Sequence, residues 1–200
     1  MRKILLIAVM VMMTIAGQAQ STDRETGAFT LQPKIGAGFG YVSGDWVKEP
    51  GEKKQAVAGI VLGVEGEYYA AKWLGIAAGV NYAMQGWKFN YTDRSVLTRL
   101  NYLNIPLTAN IYIVKRLALK TGVQFGFLLN AKERIGDVNI DIKDGCKKFC
   151  VSIPVGISYE FDNFVLDARY NFAIKKVIDM PYNSKRSHLI QLTLGYKFEL

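Results

Sequence analysis

The stretch Leu189–Leu200, LIQLTLGYKFEL, alternates without a break. Ile190, Leu192, Leu194, Tyr196, Phe198 and Leu200 fall on one face, and Gln191, Thr193, Gly195, Lys197 and Glu199 on the other. Successive side chains of a strand point to opposite faces, so this pattern predicts a strand with one apolar face. Working back along the chain, the same pattern recurs over Gln32–Val42, Ala56–Tyr69, Trp73–Trp87, Leu100–Ile113, Leu117–Asn130, Cys150–Phe161 and Phe164–Ile174. The connections alternate in length. Ala70–Lys72, Val114–Arg116 and Asp162–Asn163 are tight, whereas Ser43–Gln55, Lys88–Arg99, Ala131–Phe149 and Lys175–His188 are long and polar. An even number of such segments, about ten residues each, is the signature of a membrane barrel with short periplasmic turns and long outer loops. The predicted fold is therefore all-β: an eight-stranded antiparallel up-and-down transmembrane β-barrel of the outer membrane type, over residues 31–200, with both termini periplasmic.

Size decides which face meets lipid. One face carries bulky residues such as Ile35, Phe39, Ile60, Leu62, Val80, Leu107, Phe125 and Ile157. The other is rich in glycine, at Gly36, Gly38, Gly63, Gly75, Gly122 and Gly195 among others. An eight-stranded barrel has an interior only wide enough to be filled by side chains, so the bulky face would overfill it and must point outward. Aromatic residues near strand ends suggest two interfacial girdles, Tyr68, Trp73, Phe161, Phe164, Tyr196 and Phe198 at one level and Phe39, Tyr41, Trp87, Tyr102 and Phe172 at the other.

The N-terminus explains how such a chain reaches a membrane. Arg2 and Lys3 precede the apolar run Ile4–Ile15, and Gly17-Gln18-Ala19 supplies small residues for a peptidase. Residues 1–19 are expected to be a signal peptide, and 20–30 a short periplasmic segment. Removing Arg2 and Lys3 from 25 basic residues leaves 23 against 17 acidic ones, a charge of +6. An exported chain rarely meets nucleic acid, so none is expected as a partner. The expected location is the outer membrane of a Gram-negative bacterium.

Several stretches resemble one family. Leu100-Asn-Tyr-Leu-Asn-Ile-Pro-Leu107 looks like the fourth strand of the PorT-like outer membrane β-barrel domains common in Bacteroidetes. Pro33-Lys-Ile-Gly-Ala-Gly38, Leu166-Asp-Ala-Arg-Tyr170 and Leu194-Gly-Tyr-Lys-Phe198 resemble its first, seventh and closing strands. The resemblance implies fold and location, and with them insertion by the β-barrel machinery; the founding member is linked to a protein secretion apparatus, but most relatives carry no assigned function.

Four groups of residues are candidate sites. Lys34, Glu65, Glu67, Lys120, Asp167 and Arg169, together with Glu160, Lys197 and Glu199, carry inward charges that need partners in a narrow lumen, and a structural network is expected there. Cys146 and Cys150 are a candidate disulfide, because an exported protein passes through an oxidising space. Lys53, Lys54, Lys147, Lys148, Lys185 and Arg186 are candidate contacts to lipopolysaccharide phosphates. The loop at 131–149 is a candidate docking site for a protein partner. Neither a cofactor nor a metal is expected: two cysteines without a histidine make a poor zinc site, and Asp137, Asp141 and Asp144 do not keep an EF-hand spacing. Ser187 and His188 are adjacent and so point to opposite faces, which argues against an enzyme. The expected role is structural, interaction-based or secretion-accessory, exercised through the outer loops; the alternative is a narrow porin-like channel for ions or small solutes.

Overall fold

A computed structural model describes residues 24–46, 53–91, 94–174, 178–180 and 183–200. The wall is built from β1 (Phe29–Trp46), β2 (Lys53–Ala71), β3 (Leu74–Asn90), β4 (Ser95–Val114) and β5 (Leu117–Ile135). After a short β6 (Val138–Asp141) it continues through β7 (Phe149–Phe161), β8 (Phe164–Ala173), β9 (Ile178–Met180), β10 (Asn183–Tyr196) and β11 (Phe198–Glu199). Eight of these form the ring, in the order β1-β2-β3-β4-β5-β7-β8-β10, each antiparallel to its neighbours. The ring closes because β10 returns to β1, from Lys34 opposite Gly195 to Trp46 opposite Asn183. Closure satisfies the backbone groups of what would otherwise be two open edges, the condition for strands to survive in hydrocarbon. Among the described residues no helix is long and apolar enough to cross a membrane.

The tight connections are two-residue turns at Lys72-Trp73, Lys115-Arg116 and Asp162-Asn163. Asp162 takes φ 51°, a left-handed conformation that aspartate tolerates, whereas the other two turns contain no positive φ. The opposite rim, termed the loop end, differs from expectation. The strands run on into the stretches expected to be loops, so β4 reaches 20 residues and β5 reaches 19. A tilted strand needs only about 9–11 residues to cross a bilayer. Above that level no lipid imposes an apolar face, so alternation fades although the ladder continues. Much of 131–149 is accordingly ordered: the end of β5 pairs with β6, and a short 3-10 turn spans Lys143–Gly145.

The bulky face points outward, with Ile35, Ile60, Leu62, Val80, Leu107, Ile157 and Leu192 exposed around the wall. Two aromatics expected in the outer girdle do the reverse. Trp87 and Tyr102 are 1% and 0% exposed and point into the barrel. Both share parity with lumenal neighbours, Trp87 with Asn81 and Gln85, and Tyr102 with Asn104 and Thr108. Position near a strand end suggested a girdle, but parity governs which face a residue takes. The last strand also breaks. The Lys197 amide donates to the Asn163 carbonyl at 2.7 Å, β11 pairs separately with Thr30 and Leu31, Phe198 is buried, and Glu199 is exposed rather than inward.

Gly36 shows why the lumenal face carries so little bulk. A Cβ there would lie 2.0 Å from the Leu192 carbonyl oxygen across the β1–β10 seam, a backbone atom that cannot step aside. We expect Gly36→Ala to destabilise the barrel by about 1–3 kcal/mol, the range for overpacking. Urea unfolding followed by the heat-modifiable gel shift checks this, and an unchanged midpoint would contradict the close approach.

Candidate functional site

Three layers stand out in the interior, and buried polar residues such as Gln124, Ser152 and Asn171 lie between the middle one and the loop end. In the middle, Lys34 of β1, Glu65 of β2, Lys120 of β5, and Asp167 and Arg169 of β8 converge, all of them buried. Glu65 accepts from Lys34 Nζ and Lys120 Nζ at 2.6 Å each, and from Arg169 Nη2 at 3.3 Å. Asp167 Oδ2 lies 2.9 Å from both Lys120 Nζ and Arg169 Nη2. Alternation places these residues on one face, and closure carries them across the lumen to one another. Stripping water from each charge costs several kcal/mol, which is offset only by such multiple pairing.

Glu67 belongs to a second cluster, nearer the two-residue turns. It accepts from Asn110 Nδ2 at 2.7 Å, Tyr112 OH at 2.8 Å and Lys197 Nζ at 2.9 Å. Lys197 also donates to Glu160 at 2.5 Å and to the Tyr69 hydroxyl at 2.9 Å. The segment before β1 seals this end. Gly27 and Ala28 exchange backbone hydrogen bonds with Tyr69, while the Arg24 guanidinium pairs with Glu160 and lies 3.5 Å from the Tyr112 ring centroid. Burial opposes the charge on Arg24, yet the Glu160 carboxylate beside it raises its pKa above the ordinary arginine value. Glycine makes room here too: a Cβ on Gly75 would lie 2.0 Å from Glu67 Oε1.

The third layer is apolar and lies at the loop end, where Val42, Trp87, Phe89, Leu100, Tyr102, Leu128, Ala131 and Cys146 pack together. Periodicity reveals neither Arg24 nor the apolar layer as part of a lumenal plug. Parity alone marks Tyr112, Trp87 and Tyr102 as inward. The Cys146–Cys150 bridge is not formed in this structure; Cys146 lies within the apolar layer and Cys150 packs against it.

The remaining candidates are dispersed. Lys53 and Lys54 begin β2 and are exposed, with Lys54 Nζ donating to the Val42 carbonyl at 2.5 Å. Exposed Arg186 lies on β10, the other neighbour of β1, whereas exposed Lys147 and Lys148 precede β7 on a different part of the wall. The Lys185 side chain lies outside the described residues, as do residues 1–19. Asp141 accepts from the Lys143 amide at 2.9 Å, and Asp137 lies 3.6 Å from Arg134. Among the described residues no group of three or more His, Cys, Asp or Glu is placed to hold a metal ion. His188 faces outward, with Nε2 2.7 Å from Ser43 Oγ and its ring stacked on Tyr41 at 5.1 Å, while Ser187 points inward.

The model of the outer membrane protein beta-barrel domain family matches residues 18–179. The chain belongs to this family. Its apolar wall is therefore the lipid-facing surface of an outer membrane barrel, and the buried charges lie in its lumen. Two solved structures share the fold. One is Ail, the attachment invasion locus protein of Yersinia pestis, with a TM-score of 0.52 and 17% identity over 87% of this chain and 100% of that one. The other is Neisserial surface protein A, with a TM-score of 0.52 and 18% identity over 87% of this chain and 99% of that one. No curated protein matches the chain.

The middle layer of this outer membrane barrel yields a direct expectation. Arg169→Gln leaves Glu65 and Asp167 short of a charge partner and should lower stability by about 3–5 kcal/mol, the usual effect of breaking a buried pair. Thermal unfolding in detergent reads the loss. Planar-bilayer recording of the same variant should show no new conductance, and a large conductance change would mean that the network is a gate.

Proposed function

We propose that this small outer membrane β-barrel is a closed, non-conducting scaffold that presents an interaction surface at its loop end. The observation that carries the reading is the obstructed lumen. Paired charges fill its middle, a second cluster and the Arg24 segment close the turn end, and an apolar layer closes the loop end. A narrow porin-like channel requires a continuous wet path, which three stacked layers oppose. In this reading the signal peptide at 1–19 directs export, both termini and the two-residue turns are periplasmic, and the loop end lies outside. Lys53, Lys54, Lys147, Lys148, Lys185 and Arg186 then contact lipopolysaccharide phosphates around that rim.

The hairpin formed by β5 and β6 is the favoured docking element for a partner protein. It projects beyond the apolar band and exposes Val138 and Ile140. Its base rests on the apolar layer through Ile142 and Cys146, so its position is set by the barrel itself. The PorT-like stretches at 33–38, 100–107, 166–170 and 194–198 favour a secretion-accessory assignment within this interaction class. In this reading the barrel acts without enzymatic chemistry, since among the described residues no group orients His188 through its Nδ1.

In-cell crosslinking and affinity purification from native outer membranes should recover a stoichiometric protein partner that is lost when residues 136–148 are deleted. A barrel recovered alone, together with well-defined single-channel steps from the purified protein, would favour the channel instead. Replacement of His188 by Ala should leave the lipid A mass spectrum unchanged, and a shifted spectrum would indicate a lipid-modifying enzyme.

A further inference from the structure

The chain that returns from the β5–β6 hairpin to the wall carries both cysteines of the protein, Cys146 and Cys150. Its backbone is anchored at three levels. The Ile142 amide donates to the Ala131 carbonyl at 3.1 Å, the Cys146 amide to the Lys143 carbonyl at 3.2 Å, and the Leu128 amide to the Lys148 carbonyl at 2.8 Å. Most of its side chains face water: Asp144, Lys147, Lys148 and Phe149 are exposed. A connection with so little buried surface opens readily. Yet the hairpin stands on it, because Ile142 and Cys146 are the hairpin's footing in the apolar layer.

The two cysteines break this exposed pattern by turning toward the same layer. Cys150 shares lumenal parity with Ser152 and stands opposite Gly126 in the β5–β7 ladder. Gly126 leaves room for the thiol: a Cβ there would lie 2.6 Å from Cys150 Sγ and 3.4 Å from the edge of the Tyr102 ring. Cys146 is buried in the layer to which Tyr102 belongs. Four residue steps, if fully extended, cover about 13 Å, beyond the roughly 4.4–6.8 Å between α-carbons that a disulfide spans. Bends at Cys146 and Lys148 shorten that path. We propose that Cys146 and Cys150 are joined by a disulfide in the exported protein, and that this bond clasps the base of the docking hairpin to the wall. The pair of thiols loses two protons and two electrons to a periplasmic disulfide of the thiol-oxidase class, which leaves as a dithiol. One cysteine thiolate attacks that disulfide to form a mixed disulfide, and the second thiolate displaces the oxidant. Because Cys146 is buried once the connection has packed, the exchange precedes packing, during transit through the periplasm. Cys150 is held in the β5–β7 ladder, so the bond ties an otherwise exposed connection to a fixed part of the barrel. The bond itself stands apart from the proposed function; its role in presenting the hairpin rests on that reading.

Trypsin reads the bond directly, because Lys147 and Lys148 lie between the cysteines. Intact cells are treated with N-ethylmaleimide before lysis, so that no thiol oxidises afterwards, and the full-length barrel is digested without reductant. We expect peptides 144–147 and 149–169 as one linked species that separates on reduction. Two separate peptides, each carrying N-ethylmaleimide, would overturn the bridge. A reducible dimer on a denaturing gel would overturn pairing within one chain. The clasp is read by amide hydrogen exchange of the folded barrel in detergent. Reduction should speed exchange over 139–148 about tenfold or more, as expected when a local segment opens more often, and leave β10 unchanged. Cys150→Ala, which keeps Cys146 in its layer, should reproduce the reduced rates and carries the comparison if the reductant does not reach the bond. Rates equal to those of the oxidised wild type would overturn the clasp. Neither readout needs a partner protein, so a bridged barrel from which no partner is recovered would count against the docking reading and leave the bond intact.

Discussion

The narrow bore of an eight-stranded ring is the constraint on which the rest of this molecule depends. The wall must close so that every strand finds partners on both sides, and the lumen must then be filled without overfilling. Gly36 at the seam and Gly75 beside Glu67 are two expressions of that limit: one lets backbones approach, the other leaves space for a carboxylate. Charged residues enter the remaining space only because closure brings opposite charges within 2.6 to 3.3 Å of each other. A lattice in which Glu65 accepts from three cations also ties β1, β2, β5 and β8 together across the lumen, so it resists flattening of the ring.

The two ends of the barrel solve different problems. At the turn end, a polar cluster is covered by a short segment that precedes β1, with Arg24 against Tyr112 and Glu160. At the loop end, strands continue past the level that lipid requires, and their inward residues become apolar. Trp87, Phe89, Leu100 and Tyr102 form a small core of the kind found in soluble β proteins, on which the β5–β6 hairpin rests. The outer surface at that height turns basic, so a rigid, charged platform stands on an apolar stem.

How much of this was legible depends on where lipid acts. Through the middle of each strand, lipid on one side and a crowded lumen on the other impose strict alternation. Residues such as Ile190, Leu192 and Leu194 therefore announce both the strand and its facing. Beyond the bilayer that contrast disappears, which is why the upper parts of β4 and β5 read as loops. Parity was the stronger signal where it conflicted with position. Trp87 and Tyr102 carry lumenal parity but sit near strand ends, and their chemistry suggested an interface they do not occupy.

By itself the sequence determined the strand count, the closing of a barrel, the outward facing of bulky residues and the inward set of charges, because period-two alternation and glycine placement are local properties of the chain. Only the tertiary structure decided which charges meet. Glu65 and Arg169 are 104 residues apart, and Glu67 and Lys197 are 130 apart. Their pairing follows from strand register and ring closure, which no local pattern encodes. The same holds for the apolar layer at the loop end. It is assembled from neighbouring strands whose relative height is set by bulges, such as that at Leu129 on β5, where Asn130 and Leu128 stand opposite the consecutive residues Asn101 and Tyr102 of β4.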